Sequence, residues 1–268
     1  MTVVVGIYCS DGIVIAADSA LTIAGVVEQE YHKKIACLDS SLIVGFAGDL
    51  GFAQRFRQVI QDVWNADTLP NLETLETHQI IKEFCSKGIL EFLSTQRADA
   101  AINVPSGFII GFVHNGKHNL VNLPGGGFQP LVINANLPFC SIGSGHFITN
   151  PFLSFIKDVF WGGKSIPSVS VGIFSAIMAL KLAIQVNAGG INGPIHVGII
   201  QKTSAGYGCH MLHEDEISQH QSNYDEALIH FASYKHIFDR TNVADAPIIP
   251  KPPKITKANT AVGESVDS

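Results

Sequence analysis

The chain has 268 residues, 46 % of them hydrophobic, and a mean hydropathy of +0.25. That length suits one layered domain with a large core plus a short extension, read here as a domain over 1–244 and a mobile tail over 245–268. The formal net charge of −6, with lysines and arginines scattered, excludes a basic nucleic-acid-binding face.

The predicted elements begin with a strand over 2–8, a turn at Ser10, Asp11 and Gly12, and a returning strand over 13–18. A second hairpin runs over 34–38 and 42–47 around a turn at Asp39, Ser40 and Ser41. Helical periods follow over 50–66 and 77–94, with apolar residues at Phe52, Phe56, Val59, Ile60 and Val63 in the first. Strands over 107–113 and 117–122 flank Asn115-Gly116, a strong hairpin turn. A loop of glycines at 124–128 and a strand near 131–134 come next, then helices over 145–160 and 167–186. Strands over 195–201 and 208–213 and a helix over 223–238 complete the series. Strands in antiparallel pairs alternating with helices in pairs predict an α/β (α+β) fold of two stacked sheets between helix layers.

Other features narrow the setting. Cys9, Cys37, Cys85, Cys140 and Cys209 are odd in number, widely spaced and without a Cys-x-x-Cys pair. They read as reduced thiols of a cytoplasmic protein. The N-terminus has no basic n-region and meets Asp11 too soon for a signal peptide. The most apolar run, 171–186, is too short to span a bilayer and contains Lys181, so no membrane partner is expected. Cys209, His210, His213 and Glu214 are metal-capable, but strand alternation sends neighbours to opposite faces. No metal and no cofactor is expected.

Thr2 carries the chemistry. If Met1 is removed, the threonine has a free α-amine beside its own hydroxyl, a general base and a nucleophile in one residue. Such an amine has a pKa of about 8, close enough to neutral to accept the hydroxyl proton. Asp18 follows sixteen positions later, Lys34 sixteen after that, and Gly48 fourteen further on. A lysine ammonium near the amine lowers the pKa of both amine and hydroxyl. Asp18 holds that lysine charged and oriented. The backbone N–H of Gly48 is a candidate oxyanion donor, a contribution typically worth a few kcal/mol. Each residue alone has an ordinary explanation as a turn, cap or surface residue. Their order and spacing together carry the signal.

With these residues in place, the chain resembles the proteasome β-subunit family and the related bacterial heat-shock-locus protease, both N-terminal-nucleophile hydrolases. The resemblance rests on Thr2-Val3-Val4-Val5-Gly6-Ile7, on the run from Gly12 to Asp18-Ser19, on Lys33-Lys34-Ile35, on Gly45-Phe46-Ala47-Gly48 and on Ile142-Gly143-Ser144-Gly145. It is close over about the first 55 residues and thinner but colinear to about 202. A divergent bacterial proteasome-like member is implied. So are a four-layer αββα sandwich, a threonine-type peptidase acting on peptide or unfolded protein, and a homo-oligomeric ring or spiral that encloses the site. An ATPase partner is left open. The resemblance makes Thr2, Asp18, Lys34, Gly48 and Ser144 the catalytic set. It places Phe46 at the floor of the main specificity pocket, Leu21, His32 and Ala36 on its walls, and Thr22 against the substrate backbone. A phenylalanine floor predicts a shallow apolar pocket and poor cleavage after basic residues.

The family pattern fails at one point. Many proteasome β subunits carry an aspartate and a serine before the last core strand, hydrogen-bonded to the threonine amine. Here that stretch, 187–193, has neither a carboxylate nor a serine, only Asn187 and Asn192 as polar side chains. Two other readings therefore stay open: a small-molecule amidase with the same Thr2 chemistry, and an inactive structural subunit of a proteasome-like assembly.

Overall fold

Apolar runs too long for a one-sided strand make the first hairpin. β1 (Val4–Tyr8) and β2 (Gly12–Ala17) are buried along nearly their whole length, so both faces are covered. In the computed structural model, the described residues are 2–23, 26–29, 33–65, 75–96, 102–186 and 190–233. The chain divides into two units, Met1–Tyr224 and Asp225–Ser268. Of the second, residues 225–233 are described and helical, and the tail expected from 245 lies outside the described residues.

The remaining elements of the first unit are β3 (Leu21–Ile23), β4 (Val26–Gln29), β5 (Ile35–Asp39), β6 (Leu42–Gly48), α1 (Leu50–Trp64), α2 (Thr77–Ser94), β7 (Ser106–His114), β8 (Lys117–Leu123), β9 (Leu131–Ile133), β10 (Phe139–Ile142), α3 (His146–Phe160), α4 (Val169–Val186), β11 (His196–Thr203) and β12 (Gly206–Met211). A last helix, α5 (Glu214–Ser233), starts nine residues before the expected 223. Its first turns, Glu214, Asp215 and Glu216, are acidic and suit a helix N-terminus, but carry no apolar period to read. The β3–β4 hairpin and β10 were not foreseen either.

Two five-stranded sheets have the orders β10-β1-β2-β11-β12 and β5-β6-β7-β8-β9, with every pairing antiparallel. Three apolar clusters show how they stack. Val4, Ile13 and Ile15 of the first sheet meet Ile35, Ile43 and Ile109 of the second. The other face of the first sheet, with Val3, Val5 and Ile7, packs on Leu153, Ile156 and Ala176 of α3 and α4. The other face of the second sheet packs Phe108, Ile110 and Phe112 on Phe52, Phe56 and Phe84 of α1 and α2. The order helix, sheet, sheet, helix is the expected αββα sandwich of two antiparallel sheets.

Helix ends follow local signals. Asp49 caps α1, its carboxylate accepting from the Phe52 N–H at 2.7 Å. Glu76 and Gln79 form a capping box at α2. α4 is long and apolar enough to cross a membrane by length and composition. Its apolar side chains, Ile173, Ala176, Ile177 and Leu180 among them, are instead buried in the first sheet's helix-side core, which accounts for its composition.

Candidate active site

Both hairpins deliver their end residues to one place. β1 and β2 pair with Val4 opposite Ala17, and just beyond that pair the Asp18 N–H donates to the Val3 carbonyl at 3.3 Å. The turn spacing thus returns Asp18 beside the residue that follows Thr2. In the second sheet, the Phe46 N–H donates to the Lys34 carbonyl at 3.0 Å, which fixes Lys34 at the start of β5. Sheet stacking then brings Lys34 to Asp18, and its ammonium donates to Asp18 Oδ1 at 2.8 Å.

Asp18 is an organising acceptor. Its Oδ1 also takes the Val3 N–H at 2.9 Å, and its Oδ2 takes the Ala20 N–H at 3.3 Å. Burial pushes the Asp18 carboxyl up from its ordinary value, and the charge and hydrogen bond of Lys34 pull it back. Burial likewise lowers the Lys34 ammonium, with Asp18 opposing. Each group needs the other to stay charged in this setting. The neighbouring Lys33 is exposed, as expected of a surface lysine.

Thr2 is held from the other side by the β10–α3 connection. Its N–H donates to Ser144 Oγ at 3.3 Å, and its carbonyl accepts from the Gly145 N–H at 3.1 Å. In the chain that keeps Met1 this nitrogen is a peptide amide; after Met1 removal the same atom is the α-amine. Gly143 has φ +85°, and a Cβ there would collide with the Thr2 carbonyl, so only glycine lets the loop lie against Thr2.

Thr2, Gly48 and Ser144 line one open cleft of about 660 Å³. Gly48 has φ +124°, and a Cβ would run into the Pro105 carbonyl and the Ser106 backbone. The glycine is therefore required by the chain itself, in addition to any approach of substrate. Among the five expected catalytic residues, Thr2, Gly48 and Ser144 share the cleft wall, while Asp18 and Lys34 form the buried pair behind Val3.

The expected specificity residues are described only in part. Ala36 and Phe46 line a separate depression of about 10 Å³, together with Lys33, Lys34 and Arg57. Phe46 is half-buried with its ring centroid 6.4 Å from that of Phe108. Leu21 and Thr22 lie on β3, but their side chains, like the whole of His32, lie outside the described residues.

The stretch that departs from the family pattern has a use of its own. The Asn192 carbonyl accepts from the Ser19 N–H at 3.1 Å, and its side-chain oxygen accepts from the Gly193 N–H at 2.9 Å. Asn192 thus secures the chain after Asp18 and spends its side chain on its own loop. Asn187 lies outside the described residues.

Three neighbours escaped sequence reasoning. His196 stands opposite Ala17 in the β11–β2 pair, and burial and the Lys33 charge hold its pKa low. Asn122 and His146 line the cleft itself. None carries a local motif, because each reaches the site through packing between distant segments.

No curated protein matches the chain. Among solved structures it is similar to an Anbu (Gly-1) mutant from Hyphomicrobium sp. strain MC1, with 19 % identity and a TM-score of 0.64 over 87 % of this chain and 98 % of that one. It is also similar to Anbu (ancestral beta-subunit) from Yersinia bercovieri, with 15 % identity and a TM-score of 0.64 over 90 % and 98 %. At these identities the likeness establishes the fold alone. The family model described as proteasome subunit matches residues 2–159, more than half of the chain. The chain therefore belongs to the proteasome subunit family, with the N-terminal-nucleophile hydrolase fold that its two stacked sheets display.

Proposed function

We propose that the chain is a threonine-type peptidase that acts once Met1 has been removed. The observation that carries this reading is the grip on residue 2: its nitrogen on Ser144 Oγ, and the next N–H sharing Asp18 Oδ1 with Lys34, all at an open cleft. The Thr2 hydroxyl attacks the scissile carbonyl, and the α-amine takes its proton and delivers it to the departing amine. The oxyanion is met by the Gly48 N–H. Water then cleaves the threonine ester, with the same amine as base. Lys34 contributes a positive field beneath the amine, and Ser144 orients it.

The substrate in this reading is a peptide or unfolded protein with a small or medium apolar residue before the cut. The working form is a homo-oligomer. Phe147, Pro151, Phe155 and Val159 fall four residues apart on α3, and Phe147 is 76 % and Phe155 51 % exposed. Such an apolar stripe suits a contact with another copy. Five free thiols fit a reducing compartment such as the cytoplasm.

The test is hydrolysis of a fluorogenic peptide library by the native protein, with Thr2→Ala as control. Peptide cleavage that vanishes in Thr2→Ala supports the proposal. Hydrolysis of small amides with no peptide cleavage would make it an amidase, and retention of Met1 in native protein would make it a structural subunit.

A further inference from the structure

Two acceptors in the Thr2 cleft have no part in the acyl-transfer steps. The first is Asn122 on β8. Along this strand Leu120 faces the core between the sheets, and Val121 and Leu123 face the helix-side core. Asn122 therefore falls on the inter-sheet face, where the sandwich opens into the cleft. It is only 8 % exposed, and its Oδ1 has no hydrogen-bond partner among the described residues. Buried polar side-chain atoms are satisfied in the large majority of cases. An unpaired carboxamide oxygen at a cleft wall is thus an acceptor kept for a donor that arrives from outside.

The second is His146, the first residue of α3. Its ring Nδ1 lies 2.8 Å from the Gly143 carbonyl, which can only accept, so Nδ1 carries the hydrogen. In the neutral ring Nε2 is then left with a lone pair. The ring is held against Phe147, with centroids 3.8 Å apart, and lines the same cleft. Asn122 belongs to the second sheet and His146 to the helix layer over the first, so the acceptors approach the cleft from different layers.

The ligand chemistry follows from what surrounds them. Among the described residues, no carboxylate, lysine or arginine lines this cleft. Gly107, Gly125 and Gly143 line it without adding a side chain. Acceptors without charge, beside small residues, suit neutral main-chain N–H groups. Ala36, Phe46 and Lys34 line the other depression, which shares no residue with the cleft. The acyl half of a substrate is assigned to that side. The half beyond the scissile bond is left with the cleft.

We infer that Asn122 Oδ1 and His146 Nε2 form a leaving-side subsite that accepts backbone N–H groups of the peptide after the scissile bond. The inference rests on the peptidase reading, and it is tested without turnover. A short peptide with the sequence of a leaving half is titrated calorimetrically into the Thr2→Ala protein, alongside the same peptide with its backbone nitrogens methylated. Methylation should weaken binding about tenfold, equivalent to about 1.4 kcal/mol. Asn122→Leu and His146→Ala should each weaken the parent peptide by a similar factor. Neither should weaken the methylated peptide to the same extent, because the donor is already gone. Equal binding of the two peptides to the Thr2→Ala protein would overturn the subsite, and this needs neither the Asn122 nor the His146 variant to fold. So would variant losses of the same size on both peptides. Failure of the native protein to cleave peptides is a separate result, which would sink the peptidase reading and leave the binding result to stand by itself.

Discussion

Lys34 Nζ stands 2.8 Å from Asp18 Oδ1, with 3 % of the lysine side chain and none of the aspartate exposed. A pair so deeply buried is a poor stability device, since the desolvation of two charges offsets most of their attraction. Its place beside the Val3 N–H suits the role proposed for it at Thr2.

The first prediction separates stability from function at this pair. Lys34→Ala leaves the Asp18 charge buried without its cation and should destabilise the fold by about 3–5 kcal/mol. The double change Asp18→Asn with Lys34→Met should recover most of that loss or exceed the parent in stability, yet remain inactive. Denaturant midpoints and peptide hydrolysis on the same samples check both halves.

The pH dependence has a definite sign. The Asp18 carboxyl is raised in the folded state, so its contribution to stability is fully present below its ordinary value and is lost as pH rises through the folded value. The Lys34 ammonium is lowered, so its contribution is present above its ordinary value and is lost as pH falls through the folded one. The ionised pair therefore costs most in the window between the two folded values. The stability gained by the double variant over the parent should be largest there and shrink towards either end of the pH scale. Urea denaturation across a pH series measures it.

The loop that grips Thr2 makes a graded prediction. Ser144→Ala removes one hydrogen bond to the Thr2 nitrogen, of order 0.5–1.5 kcal/mol, and should lower kcat by roughly three- to tenfold. Gly143→Ala adds a Cβ against the Thr2 carbonyl at a positive φ, a strain of about 1–3 kcal/mol that must move Thr2 or the loop. Its kcat should fall well below that of Ser144→Ala, with a lower Tm as well.

Substrate preference provides the fourth. The depression beside Phe46 is rimmed by the exposed cations Lys33 and Arg57. A lysine or arginine before the cut would meet like charge there, so cleavage after basic residues should be at least tenfold slower than after leucine or alanine. Arg57→Glu should narrow that gap in a fluorogenic peptide library.

Much of this site was legible because it depends on short-range geometry. Two tight hairpins with apolar strands of matched length place Asp18 beside Val3 and Lys34 beside Phe46, and turn residues announce both. The Asn115-Gly116 turn, with both residues at positive φ, is legible for the same reason. β10 was not, because its four residues form a strand only by pairing with β1, more than a hundred positions earlier. Asn122 and His146 share that limit. An asparagine amid apolar strand residues and a histidine opening a helix look ordinary until stacked sheets bring them to one cleft.

The central claim is that residue 2 is a nucleophile with a free amine. Its most direct test is the intact mass of native protein after exposure to a β-lactone, followed by peptide mapping. The account predicts a chain that begins at Thr2 and gains one ring-opened lactone as an ester on that residue, with no adduct in Thr2→Ala. A chain that keeps Met1, or one that lacks Met1 but carries no adduct on residue 2, would contradict it.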